Sequence, residues 1–285
     1  MLACCPDVAL RSDLWRDVLP GRRAALGPMQ VTTAPEALVR VIHADTPDKI
    51  PTIPIDGKPT VVYWDICGLQ QPIRLALALA GVEWVDVRVD CGDPSTAEYK
   101  KLWMDFKPNL DSVMHFPNLP YLLDGEVAIS QSNVILRHLG RKYGLMGEPS
   151  SLYLVDLVLD EMADFDKQVT SRCYSDPSSL KPYCEKQLPG TLQKWARMLG
   201  DKSFLTGMAG PSSDLLTVAD LKFYETIRKL KIIEQELLDG TGALAGVPTL
   251  LAFCDRIEAV PALKAYIASD AFLARPLNNA HAPFK

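Results

Sequence analysis

The sequence predicts two domains, a small α/β domain followed by an all-helical one. Three observations predict this. Between residues 58 and 143, strand and helix signals alternate in the order β-α-β-α-β-β-α. Residues 144–151 are rich in Gly, Pro and Ser and read as a linker. From 152 to 285 strand signals vanish and apolar residues recur on a helical period.

Residues 1–57 read as an extension, partly ordered at best. Seven prolines from Pro6 to Pro54 interrupt it and no period is sustained. Short helices are expected at 10–19 and 35–42. Arg11, Asp13, Arg16 and Asp17 break any signal-peptide core, and the acidic residues speak against a transit peptide. In the α/β domain, Thr60-Val61-Val62-Tyr63-Trp64 has the composition of a buried strand. Pro72 stands at a helix N1 position before an Ile-Arg-Leu-Ala-Leu-Ala run that Gly81 stops. A second strand at 83–89 completes a βαβ unit, which implies parallel pairing. A helix is expected at 98–105. In the helical domain, helices are expected at 152–172, 182–199, 221–238, 250–260 and 261–269. Thr217 to Asp220 fits a capping box.

Residues 116–136, FPNLPYLLDGEVAISQSNVIL, join the two halves of the argument. Asp124-Gly125 is a hairpin turn signal between two short strands. Ser130, Ser132 and Asn133 then offer N-cap side chains before Val134-Ile135-Leu136. A helix N-terminus flanked by Gln131 and Ser132 suits a carboxylate. A cis Pro120 would turn the Leu119 backbone outward toward a peptide ligand. An edge hairpin with an ordinary cap explains the same residues equally well.

Composition narrows the function. In 285 residues, 48% hydrophobic and 23% charged, the net charge is −5. That leaves no general basic field for nucleic acid, and no apolar run approaches a bilayer span. Seven cysteines show no CxxC and no zinc-ligand spacing, so reduced thiols in a cytoplasmic setting fit best, with organelle targeting by the extension left open.

Taken together, several short pieces identify a family. They are Tyr63-Trp64-Asp65-Ile66 with Gly68-Leu69 and Pro72-Ile73-Arg74-Leu75, then Trp103 and Lys107, Phe116-Pro117-Asn118-Leu119-Pro120-Tyr121-Leu122, Gln131-Ser132-Asn133, and Phe272-Leu273-Ala274-Arg275-Pro276. In this order and spacing the chain resembles a glutathione transferase, most closely the mu class, over residues 60 to 285. Gly92-Asp93-Pro94 looks like the extra loop of that class. The resemblance implies a thioredoxin-like glutathione-binding domain at 58–143 and an all-helical domain with an electrophile site at 152–285. It implies conjugation of the thiolate of reduced glutathione to small electrophiles (a detoxifying reaction), with no cofactor beyond glutathione, no metal, no nucleic acid or membrane partner, and a homodimer.

Residue by residue, the resemblance assigns Tyr63 to catalysis, its phenol donating to the sulfur. On its own, a strand tyrosine before a Gly-containing turn can equally pack against the helical domain. Trp64, Lys100, Trp103 and Lys107 would hold the glycyl end of glutathione. Asn118 and Leu119 would pair with its middle, with Leu69 also in the glutathione site. Gln131 and Ser132 would bind the γ-glutamyl carboxylate, and Asp164 would reach the γ-glutamyl amine of a neighbouring subunit. Leu69, Ala163, Tyr174, Asn278 and Asn279 would shape the second-substrate site, the two asparagines making it more polar than usual. Apart from the resemblance, Asp164 is one of a run with Asp156, Asp160, Glu161 and Asp166 that reads as an exposed acidic face.

Two departures stand out. Cys67 replaces a usual arginine, as a reactive thiol or a small buried filler. A two-residue insertion before Asn118 places Ser112 to His115 near the glycyl end. His115 and His138 read as structural. A glutathione-dependent isomerase or peroxidase, or a non-catalytic glutathione-binding protein, would share the fold.

Overall fold

The computed structural model describes residues 38–206 and 215–285. The helix expected at 10–19 lies outside them. The α/β part is a five-stranded mixed sheet in the order β1-β3-β2-β4-β5, built from β1 (Val39–Ala44), β2 (Thr60–Trp64), β3 (Trp84–Val89), β4 (Tyr121–Asp124) and β5 (Val127–Ser130). β1 and β2 flank β3 in parallel, and β4 and β5 close the other edge antiparallel. α1 (Gln71–Ala80) makes the β2–β3 crossover, followed by α2 (Lys101–Phe106) and α3 (Ser132–Tyr143). The order from β2 onward is the expected β-α-β-α-β-β-α. The two-residue turn at Gly125-Glu126 joins β4 to β5, with Gly125 at φ 61°.

β1 corrects the sequence reading. Residues 39–42 were expected in a helix at the end of an extension, and they form the edge strand instead. VRVIHA is rich in β-branched residues, and its register runs Val39↔Trp84 to Ala44↔Val89. Its partner strand lies some forty-five residues downstream, beyond the reach of a local pattern.

Strand alternation divides the core in two. Val61 and Trp84 face one cluster with α1, α3 and the helical domain, including Leu75, Leu136, Val158 and Phe223. Val62, Val85 and Val87 face the other, with Trp103, Phe106 and Leu123. The helical part comprises α4 (Leu152–Tyr174), α5 (Leu180–Lys186), α6 (Leu188–Leu199), α7 (Val218–Leu238), α8 (Pro248–Ala259) and α9 (Pro261–Ile267). The single helix expected at 182–199 is two, α5 and α6. Pro189 in the first turn of α6 removes an N–H and crowds the carbonyl a turn before it, so α5 ends at Lys186.

The capping box of α7 is present. Buried Asp220 accepts from the N–H groups of Thr217 at 3.0 Å and Leu205 at 2.7 Å, and from the hydroxyls of Thr217 and Thr206 at 2.8 and 3.1 Å. α3 lacks the expected side-chain cap. Ser130 donates to Phe116 O at 2.5 Å and Asn133 donates to Leu159 O at 2.8 Å, so neither turns back onto the first helical turn.

Candidate active site

Tyr63 lies near the end of β2, and the turn after it brings the chain back against its ring. Gly68 has φ 44°, and a Cβ there would stand 2.5 Å from Tyr63 Cε1 and 2.7 Å from Oη. Only a residue without a side chain fits this approach. Leu69 N–H donates to Tyr63 Oη at 3.3 Å, while the phenol's own proton has no acceptor among the described residues. Burial pushes the Tyr63 pKa up to about 12, against the opposing influence of the Leu69 N–H and the Lys229 charge. At neutral pH the group is a hydrogen-bond donor, not a base.

The ring opens on a cavity of about 530 Å³, within the usual range for a small-molecule site. One wall is the start of α3, with Gln131, Ser132 and Asn133. Gln131 has φ 73° and ψ 110°, an uncommon backbone for a residue with a side chain. Such outliers concentrate where a ligand is held. The first-turn N–H groups of α3, which no side chain caps, present the positive end of a helix. The opposite wall comes from α4 and α7.

Of the residues expected at the site, the structure brings Tyr63, Leu69, Gln131, Ser132, Ala163, Tyr174 and Asn278 to this cavity. Tyr174 Oη accepts the Asn279 N–H at 2.7 Å, and burial raises its pKa. Asn278 donates to Phe284 O at 3.0 Å, and Asn279 is buried with an unpaired Oδ1. Trp64, Lys100, Trp103, Lys107, Asn118, Leu119 and Asn279 do not line the cavity. Trp64, Trp103 and Leu119 share the lower core cluster with Tyr63, and Trp103 stacks on Tyr121 at 6.1 Å. Lys100 precedes α2 with φ 61°, and Lys107 closes it. The Leu119–Pro120 peptide is cis. The Leu119 N–H, expected to face outward unpaired, donates to Asn118 Oδ1 at 3.0 Å. Asp164 lines a different depression of about 360 Å³ between α4 and α6, with Leu157, Trp195 and Met198.

Cys67 is fully buried. Its thiol donates to Leu273 O at 3.1 Å, Arg228 approaches it at 3.5 Å, and burial raises its pKa. That is the filler reading, not a reactive thiol. His138 sits 2.9 Å from Asp124 Oδ2 beside Lys142, and His115 is exposed against Phe116. No group of three or more His, Cys, Asp or Glu converges among the described residues.

The sequence reading missed the charged wall of the cavity. Asp166, placed on an exposed face, is 6% exposed and bound to Lys229 at 3.0 Å. Lys229 also donates to Gly68 O at 3.2 Å, which ties α7 to the turn after β2. Burial opposes its charge, but Asp166 and Glu225 raise its pKa above the ordinary value. Lys222 lies on the same face of α7, seven residues earlier, and donates to Asn133 Oδ1. That i, i+7 spacing, which puts two lysines on one face of the helix, was the available signal.

Comparisons with known proteins agree with this architecture. Residues 59–141 match the model "Glutathione S-transferase, N-terminal domain", and residues 163–270 match "Glutathione S-transferase, C-terminal domain". The chain is 37% identical over 219 residues to Glutathione S-transferase Mu 3 of Homo sapiens, covering 76% of this chain and 91% of that protein. It is 37% identical over 218 residues to a Glutathione S-transferase of Tyrophagus putrescentiae, covering 75% and 91% respectively. Among solved structures, a Pi-class Glutathione S-transferase of Onchocerca volvulus superposes with a TM-score of 0.63 at 27% identity, over 79% of this chain and 99% of that one.

Proposed function

This chain belongs to the glutathione S-transferase family, with mu-class members among its relatives, and on that premise we propose that it conjugates reduced glutathione to small electrophiles with Tyr63 as the catalytic donor. The observation that carries this reading is the Tyr63 hydroxyl, protonated and without an acceptor among the described residues, facing a cavity walled on one side by an uncapped helix N-terminus.

The chemistry follows from the thiol. A free thiol has a pKa near ~8.5 and is mostly protonated at neutral pH. A phenol O–H aimed at the sulfur stabilises the thiolate, and the thiol proton leaves to solvent. A fall of about two pKa units is worth roughly 2.7 kcal/mol. The thiolate then forms a carbon–sulfur bond while a leaving group such as chloride departs with its electron pair. In this reading Gln131, Ser132 and the α3 N–H groups take the γ-glutamyl carboxylate. Asn118 and Leu119 pair with the peptide, and Trp64, Lys100, Trp103 and Lys107 hold the glycyl end. Leu69, Ala163, Tyr174, Asn278 and Asn279 surround the electrophile.

Two observations support a homodimer. Asp164 lies away from the Tyr63 cavity, so it can serve a glutathione only if a second chain brings one to it. Phe116 is 78% exposed, the most exposed of the large apolar side chains among the described residues, as expected of a group that a partner covers. A detoxifying role in the cytoplasm belongs to the same reading. The described cysteines are unpaired, and no described helix is long and apolar enough to cross a membrane.

The test is a pH–rate profile for glutathione with chlorodinitrobenzene. Wild type is expected to follow an apparent thiol pKa well below ~8.5. Tyr63→Phe is expected to fall by one to two orders of magnitude at pH 7, with the gap narrowing as the pH approaches that of the free thiol. An unchanged rate in Tyr63→Phe refutes the role of Tyr63. Glutathione bound without conjugation in wild type moves the assignment to an isomerase or a binding protein.

A further inference from the structure

Three lysines, Lys167, Lys222 and Lys229, line the Tyr63 cavity against a single aspartate, Asp166. Their settings differ. Lys229 is neutralised by Asp166 at 3.0 Å and uses a second donor on Gly68 O. Lys167 is exposed at the rim. Lys222 is 5% exposed, yet its one hydrogen bond among the described residues is to a neutral amide, Asn133 Oδ1. The amide is oriented by its own Nδ2, which donates to Leu159 O at 2.8 Å. An ammonium carries three donors, so two remain on Lys222. A buried charge without an opposite charge is costly and is normally paired. Burial accordingly lowers the Lys222 pKa to about 8, which leaves it charged at neutral pH.

Asp166 and Asp160 favour the Lys222 charge from a distance but are paired with Lys229 and Arg137, so a direct counter-ion for Lys222 has a place to come from. Lys222 lines the same open cavity as Thr170 and Ser171 of α4. The γ-glutamyl carboxylate of glutathione is already served by the α3 N–H groups, Gln131 and Ser132. Building on the transferase reading, we propose that the favoured electrophiles of this enzyme carry a carboxylate or an anion of similar size, which pairs with Lys222. Such a ligand completes the ammonium's bonds and balances the cavity's charge. It also makes the second-substrate site one for anionic electrophiles, not for purely apolar ones.

The probes are chlorodinitrobenzoate and chlorodinitrobenzamide, compared at saturating glutathione. Each kcat/KM is divided by the rate constant for the same compound with free glutathione, which removes intrinsic reactivity. Wild type is expected to favour the carboxylate by about tenfold or more, as one charge-assisted pair allows. Lys222→Met is expected to bring that ratio close to one, and Lys222→Arg to restore part of it. A wild-type ratio near one overturns the proposal, as does a high ratio that survives in Lys222→Met. If Lys222→Met raises KM for glutathione while the ratio stands, the ammonium belongs to the tripeptide and the proposal is wrong. Equilibrium binding of unreactive dinitrobenzoate and dinitrobenzamide, with S-methylglutathione present, is read in parallel. A carboxylate preference there without any conjugation keeps the anion site and discards the transferase reading. No binding preference discards the anion site even if conjugation occurs.

Discussion

Replacing Lys222 by Met should make the protein more stable, because the native residue holds a charge where the fold does not favour one. The Lys222 pKa falls from 10.5 to about 8, and burial is the largest cause. At 1.36 kcal/mol per unit, that is roughly 3 kcal/mol spent on keeping the ammonium charged at pH 7. Met fills similar space without the charge. Against the gain, Asn133 Oδ1 loses its donor, a cost of about 1 kcal/mol beside a cavity that admits water. A net gain of about 2 kcal/mol remains, which raises the thermal midpoint by several degrees at this chain length. The sign with pH follows from linkage. Below about pH 8 Lys222 is charged in both states and the full penalty is present. Between about 8 and 10.5 the unfolded chain binds the proton more tightly, so wild type gains stability with rising pH and the advantage of Met shrinks. The charges facing Lys222 are Asp166 and Asp160 on α4, Arg137 on α3 and Lys229 on α7. Urea unfolding of both proteins at pH 7 and pH 9.5 measures the difference. A Met variant less stable at pH 7, or a difference that does not change with pH, refutes the account of Lys222 as a buried charge without an ion-pair partner.

Three further outcomes are expected. Gly68→Ala places a Cβ 2.5 Å from the Tyr63 ring at a positive φ, so kcat/KM for conjugation should fall at least tenfold and stability by about 1–2 kcal/mol; normal kinetics would show that the Tyr63 seat tolerates displacement. Asp220→Ala removes the α7 cap and leaves the Leu205 and Thr217 N–H groups unpaired in the core, which should cost about 3 kcal/mol in urea unfolding, and a loss below ~0.5 kcal/mol would contradict the capping role. Phe116→Asp should shift the sedimenting species from twice 31.4 kDa to a single chain, and a dimer of unchanged affinity would remove Phe116 from the interface.

The α/β half was legible because its signals are local. β2, the Pro72 helix start, the Gly81 stop and the Asp124-Gly125 turn depend on neighbours within a few residues. The capping box of α7 was legible for the same reason. β1 was not, since VRVIHA gains its place only by pairing with β3. The break between α5 and α6 had a local sign in Pro189, which the continuous apolar period concealed. The charged wall was the hardest to see. Asp166 sits in a run of acids that looks solvated, and what buries it is Lys229, sixty-three residues away.

The geometry around Tyr63 explains why so much of the site lies beyond local reading. The turn after β2 packs against the Tyr63 hydroxyl but does not hold itself in place. Cys67 N–H donates to Pro276 O at 2.9 Å and Gly68 N–H to Leu277 O at 3.1 Å, so the C-terminal segment closes over it as an extra strand-like partner. From below, Arg74 on α1 donates to Ile66 O at 2.9 Å and pairs with buried Asp86 on β3. From the helical side, Lys229 holds Gly68 O. The turn is therefore fixed by three elements that meet only in the folded protein. The same segment carries Asn278 into the cavity and places the Asn279 N–H on Tyr174. One stretch of chain thus both braces the turn against the Tyr63 hydroxyl and carries Asn278 into the cavity wall. A change in that segment is then felt at the Tyr63 turn through backbone bonds. Lys222 makes none of these bonds to the turn; its bond is to Asn133 on α3.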